Sequence, residues 1–120
     1  MEYFFDTYAI VECINDGDGY KKFQNEIITT TTLNLCEVYY SILKKFNPET
    51  ANFIIKKLNL RIIEFDLNVL LEAAKFRHDN YNRKLSYIDC IGYLVAIKSN
   101  LKFLTGDRQF ENRTNVEFVK

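Results

Sequence analysis

The chain is poor in the residues that mark disordered, secreted or membrane-spanning proteins. One proline and four glycines in 120 residues leave no room for a low-complexity or linker-rich chain. The three cysteines, Cys13, Cys36 and Cys90, are odd in number, are expected in apolar helical settings and form no CxxC pair, and His78 is the single histidine. A disulfide framework and a zinc site are both disfavoured, and a reducing compartment is expected. The longest apolar run, Ile91 to Ile97, is interrupted by Gly92 and falls far short of the roughly 20 residues of a membrane span. The start, MEYFFD, is acidic and lacks the basic n-region of a signal peptide. These absences predict a soluble cytoplasmic protein without membrane association, in which the Asn112-Arg113-Thr114 sequon has no consequence. Excess charge is missing too: Lys+Arg and Asp+Glu are 16 each, so net charge carries no nucleic-acid footprint.

What is present is apolar and aromatic. Hydrophobic residues make up 48% of the chain, with ten Phe and eight Tyr, enough at this length for one domain, 1–120, with its own core. Charge is sorted along the chain although it sums to zero. Residues 1–20 hold five acids and no base, whereas 75–84, KFRHDNYNRK, hold four bases and one acid.

Short β runs are expected at 2–5 (EYFF), 26–30 (EIITT), 61–65 (RIIEF), 101–105 (LKFLT) and 115–119 (NVEFV). Between them, helical periodicity spans 7–15, with Thr7 as a candidate cap, and about 32–46, with Thr31 or Thr32 as cap. In the second helix Leu35, Val38, Tyr39, Ile42 and Phe46 form an apolar stripe, and Asn34, Glu37, Ser41 and Lys45 a polar one. Asn47-Pro48 starts a further helix, with Ala51, Ile54, Ile55 and Leu58 as its buried side. Asp66 caps a helix to about Tyr81, whose inward face is expected to be Leu67, Leu70, Leu71 and Ala74. Ser86 caps the next helix, to about Ser99, apolar nearly all round and therefore buried on most sides. Asp16-Gly17-Asp18-Gly19 reads as a turn; a calcium loop begun at Asp16 needs glycine where the chain has Lys21. The order β-α-β-α-α-β-α-α-β-β predicts a three-layer α/β/α sandwich with a central, mainly parallel sheet. Ligands of such sheets bind at the carboxyl ends of the strands.

Four acids fall near that edge. Asp6 ends the first strand, Asp107 follows the fourth, Glu37 lies within the helix after the second, and Asp89 lies one turn into the buried helix. Each has a plainer reading. Asp6 and Asp107 could cap the segments that follow them, Glu37 could belong to a solvated face, and Ser86-x-x-Asp89 is a capping-box pattern. Together they form a set of like charges that a hard divalent cation would relieve, and oxygen-only donors favour Mg²⁺ or Mn²⁺. Such a metal supports in-line displacement at a phosphodiester. Paired carboxylates also suit glycoside hydrolysis, but four acids on four elements fit a metal better.

The segments FFDT at 4–7, NLCEVYY at 34–40, LSYIDCIGYLVA at 85–96 and FLTGDRQFE at 103–111 resemble the PIN-domain ribonucleases, in particular the VapC-like toxins of toxin–antitoxin pairs. The resemblance implies a PIN-like fold and four catalytic, metal-holding acids, Asp6, Glu37, Asp89 and Asp107, with Thr105 beside them. It implies Mg²⁺- or Mn²⁺-dependent endonucleolytic cleavage of RNA, a homodimer and a small antitoxin that covers the acidic cleft. Lys75, Arg77, Arg83, Lys84 and Arg108 are candidate phosphate contacts. In one respect the chain departs from the family, having Gln109 where many members carry a further acid. Two alternatives stay open: a receiver-like signalling module, which would need paired acids after the first strand where Asp6 stands without one, and a catalytically silent PIN scaffold that binds a protein partner.

Overall fold

The computed structural model describes residues 2–120; Met1, the first residue of the expected domain, lies outside them. The elements run β1 (Tyr3–Phe5), α1 (Thr7–Ile14), a 3-10 segment (Asp18–Phe23), β2 (Ile28–Thr30), α2 (Thr32–Leu43), α3 (Pro48–Lys57), β3 (Leu60–Ile62), α4 (Leu67–Asp79), α5 (Tyr87–Lys98), β4 (Lys102–Thr105), a second 3-10 segment (Arg108–Phe110) and β5 (Val116–Phe118). The five strands form one sheet in the order β3-β2-β1-β4-β5, and every neighbouring pair is parallel. All carboxyl ends of the strands therefore lie on one edge.

Alternation along the two central strands assigns the layers. Phe4 and Phe103 face one side, with rings stacked 5.7 Å apart, in a core with Val69 and Ala73 of α4 and Cys90, Ile91 and Tyr93 of α5. Phe5 and Leu104 face the other, with Ala9 and Ile10 of α1, Val38 of α2 and Ala51 of α3. Gly92 lets α5 sit tight on the sheet, because a Cβ there would stand 3.1 Å from the Phe4 ring. The element order and four of the helix starts match the expected ones: Thr31, Asn47, Asp66 and Ser86 each accept a backbone N–H in the first turn of their helix.

Four local expectations are corrected. The helix expected over 32–46 ends at Leu43, and Asn47, held extended before Pro48 (φ −88°, ψ 168°), sets it apart from α3. The turn expected over 16–19 passes at Asp18 into a 3-10 segment, Asp18–Phe23; Tyr20 and Phe23 are buried and the Tyr20 hydroxyl donates to the Val119 carbonyl at 2.5 Å. Cys36, expected in an apolar setting, is exposed. The inward face of α4 is Val69, Ala73 and the half-buried Phe76, while Leu67, Leu70 and Leu71 are 66%, 38% and 59% exposed. Both stripes have helical spacing, so periodicity alone could not choose between them. The smaller residues Val69 and Ala73 suit close packing against α5, which larger leucines at those positions would hold further away.

Val69→Ala should therefore destabilise the fold more than Leu71→Ala, although it removes less carbon. Two buried methyl groups are worth about 1–2 kcal/mol, against about 0.5 kcal/mol or less for an exposed leucine. Urea unfolding midpoints measure the difference, and the reverse order would contradict the assigned face.

Candidate active site

Asp6, Glu37, Asp89 and Asp107 line one cleft of about 580 Å³ at the carboxyl edge of the sheet. Each reaches it from a different element, and each is held by hydrogen bonds from its own surroundings.

Asp6 follows β1 directly, and its N–H donates to the Leu104 carbonyl at 3.0 Å, which locks it between the two central strands. It is 2% exposed. The N-cap of α1 is Asp6 rather than Thr7, and the aspartate side chain makes no capping bond. Its Oδ2 accepts from the Thr105 hydroxyl at 2.8 Å, while its buried Oδ1 has no hydrogen-bond partner among the described residues. Burial, with the nearby Asp89 and Asp107 charges adding to it, pushes the carboxyl up to about 7, and the Thr105 hydroxyl and the nearby Thr7 backbone N–H only partly oppose this.

Thr7 and Asn34 do work that sequence reasoning missed. The Thr7 hydroxyl donates to Glu37 Oε1 at 2.6 Å. Asn34 Nδ2 donates to the Thr7 hydroxyl at 3.1 Å, and the Thr31 hydroxyl donates to Asn34 Oδ1 at 2.7 Å. Asn34 was expected on a polar stripe but is completely buried, because that stripe faces α1 and the site instead of water. The available signal was a threonine next to Asp6 and an asparagine one turn before Glu37.

The capping box at Ser86 is real: Ser86 N–H donates to Asp89 Oδ2 at 2.9 Å, and Asp89 N–H donates to the Ser86 hydroxyl at 3.0 Å. Capping and facing the cleft are not exclusive, since Asp89 does both. Burial raises its pKa, with Asp107 and Glu37 adding to the effect and the Ser86 hydrogen bonds opposing it. Asp107 Oδ1 accepts from Gln109 N–H at 2.9 Å, and Asp107 N–H donates to the Thr105 hydroxyl at 3.1 Å. Thr105 thus joins Asp6 and Asp107 through one oxygen. Gly106 between them has no space for a Cβ, which would run into the Tyr8 ring and the Val119 carbonyl. Phe110, fully buried with its ring 4.8 Å from Phe103, anchors the end of the segment.

The candidate phosphate contacts are not brought into this cleft. Arg77 Nε donates to the Leu85 carbonyl at 3.0 Å, with its guanidinium 4.5 Å from the Tyr87 ring centroid. Arg83 reaches the Gln109 carbonyl at 3.4 Å, Arg108 pairs with Glu111 at 3.5 Å, and Lys75 and Lys84 are exposed. Gln109 has a local job: its Oε1 accepts from Lys84 N–H at 3.3 Å and ties down the loop before α5. Lys44, not foreseen, is the one basic residue among those lining the cleft.

Among the described residues no three His, Cys, Asp or Glu side chains converge as a ready-made ligand set. The donor chemistry nevertheless fits a hard cation. Four carboxylates supply only oxygens, and the unpartnered Oδ1 of Asp6 is a buried acceptor that a proton or a cation would satisfy.

The family model for the PIN domain matches residues 3–115. No match is found among curated proteins. VapBC2 from Rickettsia felis, bound to a DNA fragment from their promoter, is 22% identical, with 100% of each chain covered and a TM-score of 0.75. VapC20 from Mycobacterium tuberculosis, a sarcin–ricin loop cleaving toxin, is 15% identical over 99% of this chain and 100% of its own, with a TM-score of 0.81. A toxin–antitoxin complex from Klebsiella pneumoniae is 16% identical over 97% and 96%, with a TM-score of 0.75. At these identities the likeness to the solved structures is one of fold.

The Asp6 shift has a testable sign. The folded carboxyl titrates at about 7 against an ordinary 3.8, so the folded state holds the extra proton between those values. Its stabilising contribution is full below the lower value and is lost as pH rises towards the upper one. In a chelator, the urea midpoint should be higher at about pH 5.5 than at about pH 8, and Asp6→Asn should reduce that difference while raising the midpoint at the higher pH. An unchanged pH dependence in the variant would contradict the assignment.

Proposed function

The chain belongs to the PIN domain family, and on that premise we propose that residues 1–120 form one domain acting as a metal-dependent endoribonuclease, the toxin of a toxin–antitoxin pair. The observation that carries the reading is the meeting of Asp6, Glu37, Asp89 and Asp107 in one cleft, with Asp6 buried and one of its oxygens unpartnered. The four carboxylates would hold Mg²⁺ or Mn²⁺. When bound, the metal would lower the pKa of water and neutralise charge developing on the phosphodiester. The chain's own part is orientation. The Thr105 hydroxyl turns Asp6 through Oδ2 and leaves Oδ1 for the ion. The Thr31–Asn34–Thr7 series of hydrogen bonds fixes Glu37 through Oε1 and leaves Oε2 outside that series. The Ser86 backbone engages Asp89 through Oδ2. Each acid thus arrives with one oxygen already committed, which reduces the side-chain freedom lost on binding a cation or orienting a water.

The toxin reading, with a small antitoxin as partner, RNA as substrate, a homodimer and a cytoplasmic setting, is supported by the structural likeness to VapBC and toxin–antitoxin proteins. No helix among the described residues is long and apolar enough to cross a membrane. Lys75, Arg77, Arg83, Lys84 and Arg108 would act on RNA beyond the cleft itself, and Arg77 and Arg83 would first exchange their present partners. The sheet order β3-β2-β1-β4-β5 speaks against a receiver-like module, whose doubly wound order is 2-1-3-4-5.

Purified protein with Mn²⁺ should cleave RNA and stop doing so in EDTA. Asp6→Asn and Asp89→Asn should each reduce the rate by at least about a hundredfold without loss of the folded state. Full cleavage by both variants would sink the assignment. Wild-type protein that binds Mn²⁺ but cleaves no RNA would favour the silent scaffold instead.

A further inference from the structure

We infer that Tyr40 and Lys44 form a nucleotide-positioning step beside the carboxylates, the ring taking an unpaired base and the ammonium its phosphate. The inference rests on the ribonuclease reading and adds two residues to it.

Glu37, Tyr40, Ser41 and Lys44 follow one another at helical spacing on α2 and at its C-cap, and all four line the cleft. Tyr40 stands about one turn from Glu37 along the axis, and Lys44 about two. Tyr40 is 64% exposed and belongs to neither core. The Lys44 ammonium lies 5.1 Å from the centroid of the Tyr40 ring and enters no ion pair among the described residues. A second pair repeats the arrangement: Tyr8 also lines the cleft, and the Lys120 ammonium lies 5.6 Å from its ring centroid.

Four carboxylates repel a polyanion, so phosphates approaching them need cations at the rim. Lys44 supplies one where the cleft has no other base. An exposed ring offers a stacking face to a base of any identity, but only to a base that is not already stacked in a duplex. Ring and ammonium on consecutive turns suit the two halves of one nucleotide: the base takes the ring, and the ammonium resting on it moves to the phosphate. A cationic peptide drawn by the four acids would instead meet Lys44 and Lys120 as like charges, so the rim favours RNA over a basic protein segment.

The test uses the full chain and a fluorescein-labelled, mixed-sequence oligoribonucleotide, single-stranded or annealed to its complement. Binding is read by anisotropy in the Asp89→Asn background, and kcat and KM are measured without that substitution. Tyr40→Ala should weaken single-strand binding and raise KM about tenfold, change kcat by no more than about twofold, and leave duplex binding unaltered. Tyr40→Phe should restore wild-type behaviour. Lys44→Met should reduce the slope of log affinity against log salt by about 0.7. Both side chains are exposed, so circular dichroism melts of the variants should match wild type. Unchanged affinity and KM in Tyr40→Ala overturn the inference, as does equal loss on single strand and duplex. Tighter binding of an arginine-rich peptide than of RNA, lost in Tyr40→Ala, would assign the surface to a protein partner and overturn it too. Cleavage indifferent to both residues refutes the positioning step alone, whereas Tyr40-dependent binding without any cleavage refutes the ribonuclease reading alone.

Discussion

Asp6 is a carboxylate enclosed at the end of a central strand, with one oxygen held by Thr105 and the other without a partner. Burying such a group is costly, and placing Asp89 and Asp107 near it raises the cost further. A fold keeps this arrangement only if the rest of the structure holds it in place. Here the strand pairing of β1 with β4 does so through three registered residue pairs, and α1 starts directly on Asp6, where its N-terminal dipole favours negative charge. The energetic cost is local and the support is distributed across the sheet.

Parallel pairing turns a one-dimensional order into a site. Because every strand points the same way, residues just beyond β1 and β4 emerge side by side although about a hundred positions separate them. The helices then bring the remaining acids to the same edge. α2 carries Glu37 on the flank of α1, and α5, drawn close by Gly92, carries Asp89 on its first turn. The two phenylalanines Phe4 and Phe103 sit directly beneath this edge in the α4–α5 layer, so core packing and site geometry share the same strands.

Hydroxyl and amide groups set the finer arrangement. Thr105, Thr7, Asn34 and Thr31 are short side chains with defined hydrogen bonds, and they orient the acids in a way that flexible lysines or arginines could not. Gln109 is engaged by the loop before α5, where its Oε1 accepts from Lys84 N–H. The site as it stands is therefore a four-acid cleft with an aromatic and cationic rim on α2.

The sequence by itself determined the element order, four of the helix starts and the four acids, because these depend on local chemistry: the first and third strand runs are followed by Asp, and Ser, Thr, Asn and Asp before a helix bond its free N–H groups. The PIN resemblance was legible for the same reason, in short segments each built around one acid. Tertiary structure alone decided what local spacing leaves degenerate. It chose Val69 and Ala73 over the leucines as the buried face of α4, because two stripes of one helix have the same period and only the neighbour's shape distinguishes them. It buried Asn34, since a polar stripe can face a polar site as well as water. It separated the expected basic residues from the cleft and put Lys44 there instead, because side chains that share a surface in space need not share a charged run in sequence.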